Sequence, residues 1–330
     1  MKRILFITSQ YRTGERIYPI LPHLCKEYSV DLLKVYQMTK KYKWVGDIDM
    51  RKEFDKNYLD LFDRVYENKC NVTEYDLIIS DDNRDTPKTN LRRFYKEKSC
   101  PLVSFEHGNT DKPYFKRGHK VVFDKCFVFG EKDIHHKDCI AGGIPSNDKL
   151  VEYQNLSKKH ILVIVNFLGN RSSPFKVNFD KELFRRLQLV DLQETSGLPV
   201  IIKLKSRADE GGYERNVEYL ESILPSKLEY KVIIDTQDDN RLIAESKYVV
   251  SAPSTLAFKP IQLGIPTLLI KNSGQSGSFY DFDGLFDIDD LDLSYLLKGH
   301  DNKEWVLKSI EGGISFSSTL SIVESIRKLL

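Results

Sequence analysis

The chain has 330 residues, 41% hydrophobic and 30% charged, enough apolar material to build cores for two domains. Its 50 basic and 48 acidic residues leave a net charge of +2, which argues against a protein that lives chiefly on phosphate-backbone contacts while leaving room for a local basic patch. Five cysteines (Cys25, Cys70, Cys100, Cys126, Cys139) with no CxxC pair and no Cys/His zinc spacing point to a reducing, cytoplasmic compartment. No apolar run approaches the ~18 residues of a membrane span, so membrane-linked substrates are expected to be met from the cytoplasmic face.

Short β-rich apolar runs alternate with helical patterns, the signature of parallel α/β architecture. Arg3 to Ser9 is the first strand, followed by a loop to Glu15 and a helix over Ile17 to Tyr28; Val30 to Val35 is the second strand. Thr39 to Tyr66 is polar, aromatic and helical in pattern, and Asp76 to Ser80 is a strand ending at Asp81 and Asp82. Leu102 to Glu106 delivers His107 and Gly108 into a loop, and Lys125 to Phe129 is the last expected strand of this half. The turn-rich Gly142 to Leu150 and the polar stretch after it read as a linker, which divides the chain into domains at 1–150 and 151–330.

The pattern then starts again. A strand at Ile161 to Val165 enters a loop with Asn166, Gly169 and Arg171, and a helix covers Asp180 to Thr195. Val200 to Leu204 carries Lys203 and ends at Lys205; a helix (Tyr213 to Leu224), a strand (Lys231 to Ile234) and a helix (Asn240 to Ser246) follow. Val249 to Ile270 is a strand–loop–helix–strand module whose loop offers Ser251, Ser254 and Thr255 at the start of a helix, where unpaired N–H groups and partial positive charge suit a diphosphate. The plainer alternative is that Ser254 is an N-cap. Ser317 to Leu330 is an amphipathic helix that could cross back to the first domain.

Open α/β sheets bind ligands beyond the carboxyl ends of their strands, so two tandem Rossmann-like halves imply a cleft. Histidine can take the proton of an attacking hydroxyl near neutral pH, which makes His107 the candidate base, with Asp111 as its alternative. Glu106, one residue earlier, is expected to point the other way and to be structural. Arg12, Gly14, Asp81 and Asp82 fall on the acceptor side; taken alone, the aspartate pair reads more simply as a solvated loop. His135 and His136 are adjacent and diverge on any regular element, which leaves no metal site there, and neither a Walker loop nor a GxGxxG is present.

Four stretches together resemble GT-B-type glycosyltransferases, particularly the bacterial capsule and teichoic-acid group of CDP-glycerol glycerophosphotransferase-like enzymes, and more loosely the UDP-N-acetylglucosamine 2-epimerases. They are VSFEHGNTDK (Val103 to Lys112), GIPSNDKL (Gly143 to Leu150), VIIKLKSR (Val200 to Arg207) and VVSAPSTLAFKPIQLGIPTLLI. The resemblance implies two Rossmann-like domains and transfer of a sugar or polyol phosphate from a UDP- or CDP-linked donor to a polysaccharide or lipid-linked glycan hydroxyl. Asn166, Arg171, Lys203, Lys205, Ser254 and Thr255 would hold the donor; His107 would be the base; no cofactor or metal is required. Two departures stand out: Lys205 replaces the family's histidine, and Pro260 sits inside the phosphate-binding helix.

Three other readings remain. A phage-type glycosyltransferase acting on hydroxymethylated DNA bases would use basic residues around Arg92, Arg93 and Lys96. A UDP-sugar 2-epimerase would need several carboxylates and a second histidine around one sugar. A non-enzymatic nucleotide-sugar binding module is the plainest.

Overall fold

A computed structural model describes residues 1–8, 14–35, 54, 56–67, 69–83, 91–106, 123–165, 182–204, 212–233, 238–271 and 277–330. The chain divides into two compact units. The described residues up to Val151, with Lys303–Leu330, form the first, and Glu152–Asn302 form the second.

Seven parallel strands build the first sheet in the order β3-β2-β1-β4-β5-β6-β7. They are β1 (Arg3–Thr8), β2 (Ser29–Lys34), β3 (Arg64–Glu67), β4 (Leu77–Ser80), β5 (Leu102–Phe105), β6 (Lys125–Val128) and β7 (Cys139–Ala141). Strands buried on both faces read as continuous apolar runs, and the two faces separate cleanly here. Ile4, Phe6, Leu32, Ile79, Val103 and Phe105 join one core. Leu5, Ile7, Leu33, Ile78, Leu102 and Cys126 join the other. Helix α1 (Leu21–Glu27) follows β1 and α2 (Leu91–Glu97) follows β4.

Two edge strands depart from the sequence reading. β3 lies at the end of the segment read as helical, and β7 follows the strand taken as the last of its half. Both are short and only partly covered, so neither offers an apolar run long enough to stand out as a strand.

The second sheet is also parallel, in the order β10-β9-β8-β11-β12-β13. Its strands are β8 (His160–Val165), β9 (Val200–Leu204), β10 (Tyr230–Ile233), β11 (Ser246–Ser251), β12 (Thr267–Ile270) and β13 (Leu285–Phe286). Helices α3 (Leu189–Ser196), α4 (Gly212–Ile223), α5 (Asp239–Ala244), α6 (Phe258–Gln262) and α7 (Ser294–Lys298) connect and flank them. The long helix expected over Asp180 to Thr195 is interrupted, because Gln188 takes φ +40° just before α3.

The second unit closes at Asn302 rather than running to Leu330, because the last two helices, α8 (Lys303–Ser309) and α9 (Ser318–Leu329), pack with the first unit. Ile322, Val323 and Ile326 of α9 enter the same core as Ile4 and Phe6. Asp148, in the turn GIPSNDKL, accepts the Ser318 and Thr319 backbone N–H groups at 3.0 and 2.7 Å, capping α9 from 170 residues earlier in the chain. Gly143 in the same turn has φ +77°, and a methyl group there would run into Ser318 and the Glu311 carbonyl. The motif is thus an anchor for the C-terminal helix. Among the described residues, no helix is long and apolar enough to cross a membrane.

Candidate functional site

Each sheet reverses its strand order once: the first between β1 and β4, the second between β8 and β11. Ligands of open α/β sheets sit outside the carboxyl ends of the strands at such points. The side chains there can therefore be read unit by unit.

In the first unit the β1/β4 point is made of Thr8 and Asp81. The Asp81 N–H bonds the Ile7 carbonyl at 3.1 Å, and Thr8 Oγ1 donates to Asp81 Oδ2 at 2.8 Å. Tyr18 Oη lies 2.9 Å from Thr8 Oγ1, so with Thr8 donating to the carboxylate, Tyr18 is left to donate to Thr8. Gly14, expected on the acceptor side, opens the turn that leads to Tyr18, and a side chain on it would run into the Tyr18 ring. Asp81 and Asp82 are both 0% exposed, so the pair is no solvated loop. Two adjacent carboxylates sealed at a strand end need partners, and Thr8 is one for Asp81.

One strand further along lies a group that the sequence reading set aside. Glu106 follows β5, its N–H bonding the Phe127 carbonyl at 2.9 Å and its own carbonyl receiving Arg16 Nη2 at 3.0 Å. Its carboxyl oxygen Oε2 is sealed from solvent and meets no hydrogen-bond partner among the described residues. Burial, and then the nearby Asp133, push this carboxyl up to about 8, against the pull of Arg16 and the Phe129 N–H. Asp133 comes from the turn after β6 and is itself buried. That turn is backed by α8: a methyl on Gly130 would strike the Ser309 backbone. Arg16 also lies over the Phe129 ring, 5.6 Å from its centroid. Arg16, Glu106 and Asp133 thus follow three strands of one sheet and meet at its carboxyl edge. The local signal was weak, because Asp133, the partner that raises Glu106 beyond its burial, lies 27 positions away in the chain.

In the second unit, β11 ends at Ser251, whose hydroxyl turns back to the Ala252 carbonyl at 2.9 Å. Ser254 has an extended backbone (φ −158°, ψ 162°) and makes no capping bond, which removes the plain N-cap reading. Its Oγ is buried without a partner among the described residues. The turn after it, Thr255–Ala257, is a 3-10 helix rather than a regular first α-turn, and α6, with Pro260 at its centre, is only five residues long. Proline has no N–H and disfavours an extended α-helix across it, which fits this tighter geometry.

Lys203, expected to neutralise a diphosphate, is buried on β9 with its ammonium 3.1 Å from Asp239 Oδ1, so its charge is met inside the protein. His160 opens β8, at the opposite end of the sheet from the ligand edge, with Nε2 3.0 Å from both the Leu242 carbonyl and Ser246 Oγ. It is not the second histidine an epimerase would need. His107, Asp111, Arg12, Asn166, Arg171 and Lys205 lie outside the described residues. Among the described residues no cluster of His, Cys, Asp and Glu is disposed to hold a metal ion.

Neither a protein-family model nor a curated protein sequence matches the chain. Solved structures do. The Neisseria meningitidis UDP-GlcNAc 2-epimerase bound to UDP-GlcNAc superposes with a TM-score of 0.62 at 11% identity, over 99% of this chain and 100% of that one. The Methanocaldococcus jannaschii UDP-GlcNAc 2-epimerase gives 0.59 at 10% identity over 99% of each chain. Acinetobacter baumannii MurG gives 0.50 at 10% identity over 99% of this chain and 100% of that one. Of the two resemblances seen in the sequence, these neighbours support the epimerases and not the CDP-glycerol glycerophosphotransferase-like group. At such identities the likeness is one of fold, and the fold is two Rossmann-like α/β domains of the GT-B type.

Proposed function

We propose that this chain is an enzyme acting on a UDP-linked sugar, and that its chemistry is proton transfer on the sugar itself, as in a 2-epimerase, ahead of transfer to an acceptor hydroxyl. The observation that carries the reading is Glu106, a carboxyl raised to about 8 by burial and by Asp133 at the ligand edge of the first sheet. Inverting the carbon next to the anomeric centre removes a C–H proton from one face and returns one to the other. Both steps call for groups that can hold or release a proton near neutral pH. Transfer to a hydroxyl would need a single base. Such a reaction calls for several carboxylates, and Asp81, Asp82, Glu106 and Asp133 all lie at the carboxyl edge of the first sheet. The solved neighbours bound to UDP-GlcNAc support the same substrate class.

In this reading the Ser254 hydroxyl, without a partner among the described residues, donates to a diphosphate oxygen, with Thr255 beside it. Five free cysteines fit a reducing compartment, the cytoplasm. A sugar transferase is the second reading, supported by the likeness to MurG, a glycosyltransferase; its acceptor would be a polysaccharide, a lipid-linked glycan or modified DNA.

The deciding experiment is incubation with UDP-GlcNAc in D2O followed by proton NMR. Epimerisation puts deuterium at C2 and produces the C2 epimer, and Glu106→Gln abolishes both. Release of UDP only when an acceptor is added, with C2 still protonated, would give the transferase instead.

A further inference from the structure

The bonds at the β1/β4 point of the first sheet run in series through three sealed side chains. Tyr18 Oη lies 2.9 Å from Thr8 Oγ1, which lies 2.8 Å from Asp81 Oδ2. Tyr18 and Thr8 are each 3% exposed and Asp81 is 0% exposed. The phenol ring is held from several sides. Phe54 and Tyr58 pack on it with centroids 4.7 and 5.6 Å away, and Phe6 meets it edge-on at 6.2 Å. Gly14 closes over its hydroxyl so tightly that a Cβ there would run into the oxygen. Ring packing and backbone together keep the phenol on Thr8.

Such a series can run in either direction, and the residue types choose one. With Asp81 charged, Tyr18 donates to Thr8 and Thr8 donates to the carboxylate. With Asp81 protonated, the acid donates to Thr8 and Thr8 must donate to the phenol. A phenol is more acidic than an aliphatic hydroxyl, so it donates better than it accepts. A hydroxyl bond to a carboxylate is roughly twice as strong as one between neutral groups, and bonds in series polarise one another. All of this favours the direction that ends on a charged Asp81. The surrounding charges enter from three strands. Lys34 of β2 is buried, in register with Thr8, and so on the same side of the sheet, where its ammonium favours the charged form. Asp82, sealed beside Asp81, opposes it, and Arg16 and Glu106 lie at the end of β5, the next strand along.

We propose that Tyr18 and Thr8 are positioning residues that hold Asp81 in its charged form at the ligand edge of the first sheet. They act through Asp81 rather than on the substrate. The use made of that charge rests on the acid–base reading above: Glu106, raised to about 8, keeps its proton, and Asp81 is the carboxylate at the same edge that is ready to accept one. The relay itself does not depend on which substrate the protein takes.

The first measurement uses the full chain without substrate. Carbon-13 NMR of aspartate-labelled protein follows the Asp81 carboxyl, with Asp81→Asn identifying its resonance. Thr8→Val keeps the side chain's shape and deletes the donor, so the Asp81 titration should rise by roughly one pH unit. Thr8→Ser, which keeps the hydroxyl, should leave it at the wild-type value. Tyr18→Phe keeps the ring packing and removes the upstream donor, so it should shift the titration the same way by less, and it carries the test if Thr8→Val does not fold. An Asp81 carboxyl still protonated at neutral pH in wild type, or a titration unmoved in the folded variants, overturns the proposal. With UDP-GlcNAc, the acid limb of the kcat/KM profile should move up with the carboxyl in Thr8→Val and return in Thr8→Ser. A limb that stays in place while the carboxyl shifts overturns the positioning role. Failure of the UDP-sugar reading looks different: no turnover in wild type, beside the same NMR shifts.

Discussion

The carboxyl ends of the first sheet gather acids held under cover, Asp81, Asp82, Glu106 and, in the turn after β6, Asp133, with the cations Lys34 and Arg16 at the same edge. The matching ends of the second sheet carry hydroxyls, Ser251, Ser254 and Thr255, and a lysine already paired with Asp239. Both sheets reverse their strand order at one point and both leave a loop there, so topology alone does not distinguish them. Chemistry does. A buried carboxyl with a raised titration exchanges protons; neutral hydroxyls and backbone N–H groups hold an anion without competing for its charge. The first edge is thus suited to acid–base work and the second to holding an anion, and the contrast can be broken from either side.

The largest effect is expected at Glu106. Glu106→Gln keeps the shape and removes the proton exchange, so turnover should fall ~10²–10⁴-fold with UDP affinity little changed. The same group gives a stability signature. Its folded titration is raised above the ordinary carboxylate value to about 8, so the folded state holds a proton that the unfolded chain has given up. Stability from this source is complete below the ordinary carboxylate range and is lost as pH rises towards about 8, with a slope of at most ~1.4 kcal/mol per pH unit. Chemical denaturation at pH 5 and pH 8 should show wild type losing more stability than Glu106→Gln over that interval. Equal losses would remove Glu106 as the titrating group.

Next in size comes Lys203. Breaking a sealed ion pair costs about 3–5 kcal/mol, and less where one partner reaches solvent, as the 30% exposed Asp239 side chain does. Lys203→Met should therefore lower the melting temperature while UDP affinity holds. A protein that melts as before but binds UDP weakly would return Lys203 to the phosphate and blur the contrast between the units.

What the sequence made legible follows from burial. Strands covered on both faces are largely apolar and were readable to within a residue or two, as β1 and β9 show, the latter despite its Lys203. The edge strands β3 and β7 are half-exposed and short, and their sequences, RVYE and CIA, carry no periodicity to read. The two-unit division was visible, but the return of α8 and α9 to the first unit rests on Asp148 capping a helix 170 residues away. The site behaved in the same manner. Position at a strand end flagged Asp81, Asp82 and Ser254. Whether a carboxyl there is solvated or sealed depends on residues distant in the chain, so Asp81 and Asp82 were read as too exposed and Glu106 as inert.

A smaller effect is expected from the anchor of the C-terminal helix. Asp148→Ala removes the acceptor of two backbone N–H groups of α9. Cap losses of this kind cost about 0.5–2 kcal/mol. The melting temperature should drop by a few degrees, and the pH dependence of turnover, if Glu106 is its acid–base group, should stay where it is. A shifted pH profile would mean that α9 reaches into the acid–base site through the first unit's core.

The smallest effect, and the one that probes the second unit most cleanly, belongs to Ser254. Its hydroxyl is buried and meets no partner among the described residues, so Ser254→Ala deletes no hydrogen bond seen there and should leave the melting temperature unchanged or slightly higher. If the hydroxyl meets a diphosphate oxygen, the variant loses one hydrogen bond to the ligand, worth about 0.5–1.5 kcal/mol, or roughly 2–12-fold in the dissociation constant for UDP. Calorimetry resolves a change of that size. Melting and affinity then move independently, as expected of a residue reserved for a ligand. A Ser254→Ala protein that binds UDP as tightly as wild type would take the anchoring role away from this loop, and with it the second half of the contrast.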